Sequence, residues 1–440
     1  MARRELISGP NFSGRSAALM ALLHGGTFAP ESFYIGPYSE AALSGLSSTI
    51  ADEIELYGAM ETSFRRAPFS LLDVAAFSDR EPQTLSGGEQ VLLALHCFSL
   101  SGYQALAIDT ALEQLDQANR DAALDYLDPR KRLVESVALI DNRLPPPVRG
   151  WTCRERAADT TDFACDPRRV VADLPRHQAP AIAIRGLGFA YRHGQDIFRA
   201  VDLSLEGGAA YRLAGPNGAG KTTLLKLLVG VLAPGAGELL LGGEPYRPWR
   251  QGNRAIALAT QNPDHQWCGA TLRDDLARRR SAFTPRVDPG LLADARVETL
   301  AAALGIHSLD ARLYELPLAA RKRLSWLWPL SGALPWVMFD EPSIGQDFAT
   351  RAQLADAIGR LTGLGYGVLF VTHDDDFATR IPHHVLAIGE RQVKALPSPE
   401  AGGGDATSDG PSPSPFRGGG GGEGSVPPSS NFPIASSLMA

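Results

Sequence analysis

The chain has 440 residues, 44% of them hydrophobic and 21% charged, which is ordinary for a soluble globular protein and enough for two to three domains with sizeable cores. Its 42 Lys and Arg against 49 Asp and Glu leave a net charge of −7, so there is no electrostatic footprint for general nucleic-acid binding. No apolar run reaches the roughly 18 residues that span a bilayer, and the opening Met1-Ala2-Arg3-Arg4-Glu5-Leu6 does not read as a signal peptide, so any membrane role is expected to be peripheral.

In chain order, the first motif is Gly9-Pro10-Asn11-Phe12-Ser13-Gly14-Arg15-Ser16, a phosphate-loop spelling with Arg15 where lysine belongs. Arginine keeps the charge but is a planar fork rather than a compact ammonium, so the exchange is not conservative. Next comes Leu85-Ser86-Gly87-Gly88-Glu89-Gln90, in which Ser86 can cap a helix and the two glycines allow close backbone approach. Asp109-Thr110 and Asn142 follow. Residues 144–180, opening with Leu144-Pro145-Pro146-Pro147 and closing with Pro175 to Pro180, read as a linker.

Beyond the linker, Tyr211–Ala214 is a short strand feeding Gly215-Pro216-Asn217-Gly218-Ala219-Gly220-Lys221-Thr222-Thr223, and Leu224 to Val231 continues as an apolar helix. Trp336–Phe339 and Val368–Val371 read as buried parallel strands, each ending in polar residues: Asp340-Glu341 and Thr372-His373. From about Ser398 the chain is rich in Gly, Ser and Pro and cannot bury enough apolar surface to fold. The expected organisation is an α/β domain over 1–143, a linker over 144–180, a second α/β domain over 181–397 and a disordered tail over 398–440.

Internal repetition ties the two domains together. Ser86 lies 23 residues before Asp109, Asp116 lies 7 after it and Asn142 lies 33 after it. In the second half Pro317, Asp347 and His373 stand at the same distances from Asp340. Four matching landmarks imply a shared fold. Upstream the first half is shorter by 25 residues between its loop and the capping motif, and its start leaves no room for the strands that precede the loop in the second half.

The second loop has the full G-x4-G-K-[ST] spelling between a strand and a helix, the context the motif requires. Its backbone N–H groups and helix N-terminus would hold phosphates, Lys221 would pair with the β- and γ-phosphates, and Thr222 would ligate Mg²⁺. Asp340 would hold the same ion through water, and Glu341 would polarise the attacking water. In the first half the matched base position is Thr110 and the matched histidine position is Asn142.

The order and spelling of these motifs resemble the ABC ATPases, over about residues 5 to 395 apart from the linker. In that family ATP is hydrolysed between two halves, one giving the phosphate loop and the other the signature motif. The resemblance implies that Ser86, Gly87, Gly88 and Glu89 complete the nucleotide site built on Gly215–Thr223, as an intramolecular pseudo-dimer. It also implies that His373 contacts the γ-phosphate, that Gln261 links ATP, Mg²⁺ and water to a transmembrane partner, that Asp347 couples the halves and that Tyr191 stacks on adenine. The second site, built on Gly9, Gly14, Arg15, Ser16, Asp109, Thr110 and Asn142, faces the decayed signature Leu316-Pro317-Leu318-Ala319-Ala320 and is expected not to hydrolyse ATP.

Gln261-Asn262-Pro263-Asp264-His265-Gln266 with Thr271-Leu272-Arg273-Asp274-Asp275-Leu276, echoed by Leu43-Ser44-Gly45-Leu46 and Thr49–Ile54, look like the energy-coupling-factor importer ATPases. That resemblance implies an ATPase on the cytoplasmic face of the cell membrane, working with a transmembrane coupling protein and a substrate-capture subunit to import a vitamin or metal ion. A transporter of another ABC class shares the same motifs. A soluble ribosome-acting tandem ABC protein of the ABC-F type is the other alternative, but those resemble each other in two intact signatures, two catalytic glutamates and a long charged helical linker.

Overall fold

The computed structural model describes residues 3–9, 11, 13, 15–24, 32–38, 42–59, 68–69, 74–131, 133–144, 147–156, 165–191, 196–283 and 292–396. Gly14 and the expected tail over 398–440 lie outside the described residues. All described residues belong to one body of mutual contacts spanning 1–398.

The chain begins with β1 (Arg3–Ser8), α1 (Arg15–His24), β2 (Ser32–Ile35), α2 (Ile50–Gly58), α3 (Gly87–Leu100), β3 (Ala105–Asp109), α4 (Gln117–Tyr126), β4 (Ser136–Ile140) and β5 (Thr152–Glu155). These five strands form one sheet in the order β2-β3-β4-β1-β5, every pair parallel. β3 is buried at all five residues and β4 at its last four, as strands covered by helices on both faces must be. Leu92, Leu95, Phe98, Leu106 and Ile108 pack on one side, and Leu19, Ala107 and Ile140 on the other.

After α5 (Pro167–Ala172) come β6 (Ile182–Ala190), β7 (Asp196–Leu205), β8 (Ala210–Ala214), α6 (Lys221–Leu228), β9 (Ala236–Leu241), β10 (Glu244–Pro245), β11 (Ile256–Ala259), α7 (Leu318–Leu324), β12 (Trp336–Asp340), α8 (Phe348–Gly363), β13 (Gly367–Val371), β14 (His384–Gly389) and β15 (Gln392–Ala395). An antiparallel sheet runs β10-β9-β6-β7. A second sheet runs β11-β12-β13-β8-β14-β15, parallel except for its last pair. Its first five strands repeat the order and direction of the first sheet. The repeat extends to detail: Thr110 N–H donates to the Ile140 carbonyl at 2.8 Å, and Glu341 N–H to the Val371 carbonyl at 3.0 Å. Both residues are left-handed, at φ 56° and 50°. A threonine in that region is strained by about 1–3 kcal/mol, so the turn itself is kept where the carboxylate is gone.

Two sequence expectations are revised. The strand preceding the first loop is present: β1 sits between β4 and β5, because Arg4 to Ile7 are fully buried and leave no alternative edge position. Among the described residues the first half has no counterpart of the antiparallel sheet. The segment 144–180 is also more than a linker. Its β5 completes the first sheet, and Val170, Val171 and Leu174 of the α5 region join the core beneath α8 with Leu354, Ile358 and Leu361. Burying apolar side chains of this size stabilises by about 1.5–3 kcal/mol each, which holds α5 to the second half.

Candidate active site

β8 delivers the chain into the loop Gly215–Gly220, where Gly218 and Gly220 take φ 75° and 99°. Only glycine adopts these angles without strain. Lys221 is 9% exposed, and its Nζ donates to the Gly215 and Pro216 carbonyls at 2.9 and 2.8 Å. Burial lowers its pKa, opposed by Glu341 and Asp340. Thr222 donates its hydroxyl to Asp340 Oδ2 at 2.9 Å, which joins the helix start to the end of β12.

Asp340 and Glu341 are 3% and 4% exposed. Burial pushes Asp340 up to about 6, with Glu341 beside it adding to the shift. Glu341 is also raised by burial, against the pull of Lys221. Its Oε2 accepts the His373 N–H at 3.3 Å, while Oε1 is buried with no hydrogen bond and lies 3.7 Å from His373 Nε2. Burial, then Lys221, depress His373 to about 3, so the imidazole is neutral and the pair is not an ion pair at neutral pH. Tyr191 is 42% exposed, and its hydroxyl lies 3.1 Å from Thr223 Oγ1.

The N-terminus of α3, from the first half, packs directly on this loop. Ser86 caps α3 in a reciprocal box: its N–H donates to Glu89 Oε2 at 2.8 Å and its hydroxyl accepts from Glu89 N–H at 3.4 Å. A Cβ on Gly88 would overlap the Asn217 side-chain amide, and one on Gly218 would lie 2.5 Å from Glu89 Oε1. Asn217 N–H donates to Asp116 Oδ2 at 3.1 Å, and Gln261 Nε2 donates to Gln114 Oε1 at 2.9 Å. The structure thus brings together Gly215–Thr223, Gln261, Asp340, Glu341 and His373 with Ser86, Gly87, Gly88 and Glu89. Glu89 is used for capping and for packing on Gly218.

The other constellation is assembled differently. Asn11 N–H donates to Asp347 Oδ2 at 2.7 Å, the counterpart of the Asn217–Asp116 contact, and Asn11 Nδ2 donates to Gln346 at 3.3 Å. Arg15 donates to Asn142 Oδ1 at 2.5 Å and Asn11 Oδ1 at 2.9 Å, so its guanidinium is engaged within the first half. Ser16 hydrogen-bonds Asp109, as Thr222 does Asp340, and burial raises the Asp109 pKa. Glu113, 3% exposed, accepts Asn142 N–H at 2.7 Å, Asn142 Nδ2 at 2.9 Å and, from the second half, Gly345 N–H at 2.9 Å. Arg351 donates across to the Asn142 carbonyl at 2.8 Å. Opposite, Pro317 gives α7 no side-chain cap, and the Leu318 side chain lies against Gly345.

Sequence reasoning missed Glu113, Gln114, Asn11 and Lys322. Lys322, on α7, is 3% exposed and donates to the Gln261 carbonyl at 2.5 Å and to the Thr260 and Asp340 carbonyls at 3.3 Å. Burial brings it down to about 8. Its position in a decayed motif carries no signal, whereas the pairing of Asn11 with Asn217 was present in the matched loop spellings.

A glycine-rich loop between a parallel strand and a helix, with a buried Asp-Glu pair beside it, defines a P-loop nucleotide-binding protein. The ABC transporter family profile matches residues 198–343. A Streptomyces avermitilis protein provisionally named an ABC transporter ATP-binding protein is 34% identical over 222 residues, covering 49% of this chain and 82% of that one. A Streptomyces coelicolor protein of the same provisional name is 36% identical over 234 residues, covering 51% and 80%. The cobalt import ATP-binding protein CbiO of Rhodobacter capsulatus is 33% identical over 227 residues, covering 49% and 78%. The chain belongs to the ABC transporter ATP-binding protein family and is an ATPase. Each of these relatives matches about half of it. No helix among the described residues is long and apolar enough to cross a membrane.

Proposed function

We propose that this chain is a tandem ABC ATPase with one working site, made of the phosphate loop of 181–397 and the signature of 1–143, and one degenerate site. The observation that carries this reading is the seating of the α3 N-terminus on the loop 215–220, with Gly88 against Asn217 and Glu89 against Gly218. The helix end there presents N–H groups and a positive dipole to a phosphate held by the opposite loop.

ATP is the substrate. The residues fit Mg²⁺: Thr222 Oγ1 and Asp340 Oδ2 are hard oxygen donors 2.9 Å apart, and such sites leave room for water and phosphate oxygens. Held by Thr222 and Asp340 when ATP is bound, Mg²⁺ would neutralise charge on the phosphates. Lys221 turns from the Gly215 and Pro216 carbonyls to phosphate oxygens. Glu341, held in place through Oε2 by His373 N–H, keeps Oε1 for the attacking water and takes its proton. Neutral His373 offers a hydrogen bond to the γ-phosphate. In the degenerate site Thr110 cannot take a proton and Arg15 is committed to Asn142 and Asn11.

Glu341 works deprotonated and burial raises its pKa, so kcat falls as pH is lowered, with a midpoint above the ordinary glutamate range. His373, depressed to about 3, adds no limb above the ordinary glutamate range. A pH–rate profile whose acid side stays flat down to the ordinary glutamate range contradicts this role for Glu341.

The partner reading is an importer of the energy-coupling-factor type, peripheral on the cytoplasmic face of the membrane, serving a transmembrane coupling protein and a substrate-capture subunit for a vitamin or metal ion. It is supported by the similarity to the cobalt import ATP-binding protein CbiO and by the stretches around Gln261–Gln266 and Thr49–Ile54. Isolation from native membranes in mild detergent, followed by mass spectrometry, tests it. Co-isolation of two small integral membrane proteins is the expected result; recovery with ribosomal proteins and nothing from the membrane overturns it.

A further inference from the structure

Gln114 lies in the turn between β3 and α4 and is 5% exposed. Its side chain makes two hydrogen bonds with two different loops. Nε2 donates to the Pro37 carbonyl at 2.8 Å, and Oε1 accepts from Gln261 Nε2 at 2.9 Å. Pro37 follows β2 and Gln261 follows β11, strands that hold the same place in their sheets. One amide therefore bridges the matched loops of the two halves. The Gln114 carbonyl also accepts from Asn217 Nδ2 at 3.4 Å, and a Cβ on Gly87 would meet both glutamine side chains.

The chemistry of the bridge is directional. A carbonyl accepts only, so Pro37 fixes which end of the Gln114 amide is the donor. Gln114 must then present oxygen to Gln261, and Gln261 must present nitrogen in return. That leaves the Gln261 side-chain oxygen Oε1, the atom suited to a cation or a water, for the nucleotide. The bridge is built once: the position matched to Gln114 in the second half is Gly345, at φ 73°, with no side chain to offer.

We propose that Gln114 is a positioning residue for ATP hydrolysis. It sets the amide orientation of Gln261 and joins the first half's loop at residues 36–38 to the working site. This rests on the active-site reading above. It gives the first half, whose own loop has no glutamine at 36–38, a route to the site where hydrolysis occurs.

A double-mutant cycle on the full chain tests it, with ATPase kinetics for the parent, Gln114→Ala, Gln261→Ala and the double variant. Each single variant is expected to lose on the order of tenfold in kcat with little change in KM, since a displaced group costs rate rather than binding. The double variant is expected to be no slower than Gln261→Ala alone, because Gln114 acts through Gln261. Gln114→Met, which keeps the volume without the hydrogen bonds, carries the same test if the alanine variant does not fold. Losses that multiply in the double variant, or a parental kcat in Gln114→Met, overturn the proposal. An inactive parent chain, or activity surviving in Glu341→Gln, overturns the active-site reading and this proposal with it. A dead Glu341→Gln beside a multiplicative cycle removes this proposal alone.

Discussion

Replacing Glu341 with glutamine lowers ATP turnover by about a hundredfold or more while the folded chain and its ATP binding survive. Glutamine matches glutamate in shape and can keep its carbonyl oxygen on His373 N–H, so the left-handed turn at φ 50° and the contact at 3.3 Å are retained. What is lost is the group able to take a proton from water. The size of the loss follows from the absence of a second base, because Thr110 stands at the matched position of the other half. Steady-state phosphate release from the purified chain measures it, with nucleotide binding and thermal unfolding as controls. Residual turnover above a few per cent means that the degenerate site, or another carboxylate, also hydrolyses ATP.

Gly88→Ala has an effect of comparable size from the other half of the molecule. An added Cβ would overlap the Asn217 amide and stand 2.9 Å from the Gln114 carbonyl. Asn217 cannot withdraw easily, because its N–H is held by Asp116 and its Nδ2 by that same carbonyl. The α3 N-terminus must therefore back away from the phosphate loop, and a displacement of about 1 Å costs about a hundredfold in rate. Ala319 occupies the matched position of the second half, so the variant introduces at Gly88 the residue that the second half already carries there. Ala319→Gly is expected to leave turnover within about twofold of the parent, since the loop it faces carries Arg15 rather than lysine. Parental ATPase activity in Gly88→Ala contradicts a signature role for this helix.

Much of the second half was legible because its motifs are local and carry their mechanism in their spelling. The loop 215–223, the strands ending in Asp340 and preceding His373, and the N-cap at Ser86 all fall where spacing and hydrophobic runs place them. The repeat between Asp109 and Asp340 reaches beyond the landmarks that revealed it, to the strand order of the two sheets and to the shared left-handed turn at Thr110 and Glu341.

What the sequence did not disclose is long-range or unpaired between the halves. Gln114 and Gln261 are 147 positions apart, and Glu113 and Gly345 are 232 apart, so no local pattern encodes either contact. Glu113 replaces an apolar residue, Ile344, at the matched position and gains three N–H donors that keep a buried carboxylate satisfied. β5 was hidden because Thr152-Cys153-Arg154-Glu155 has no apolar alternation; it is an edge strand with one buried neighbour, β1. α5 was hidden in a proline-rich stretch, with Pro167 as its first residue and Pro175 shortly after its end.

In the proposed arrangement the loop of one half and the signature of the other meet at a single nucleotide. Trapping ADP with orthovanadate and irradiating the complex cuts the backbone where it touches the γ-phosphate position, and mass spectrometry locates the cuts. Cleavage within 215–223 and at Ser86, with none at Pro317, is the predicted pattern. Cuts confined to the second half, or a cut at Pro317, would rule out a shared site of this composition.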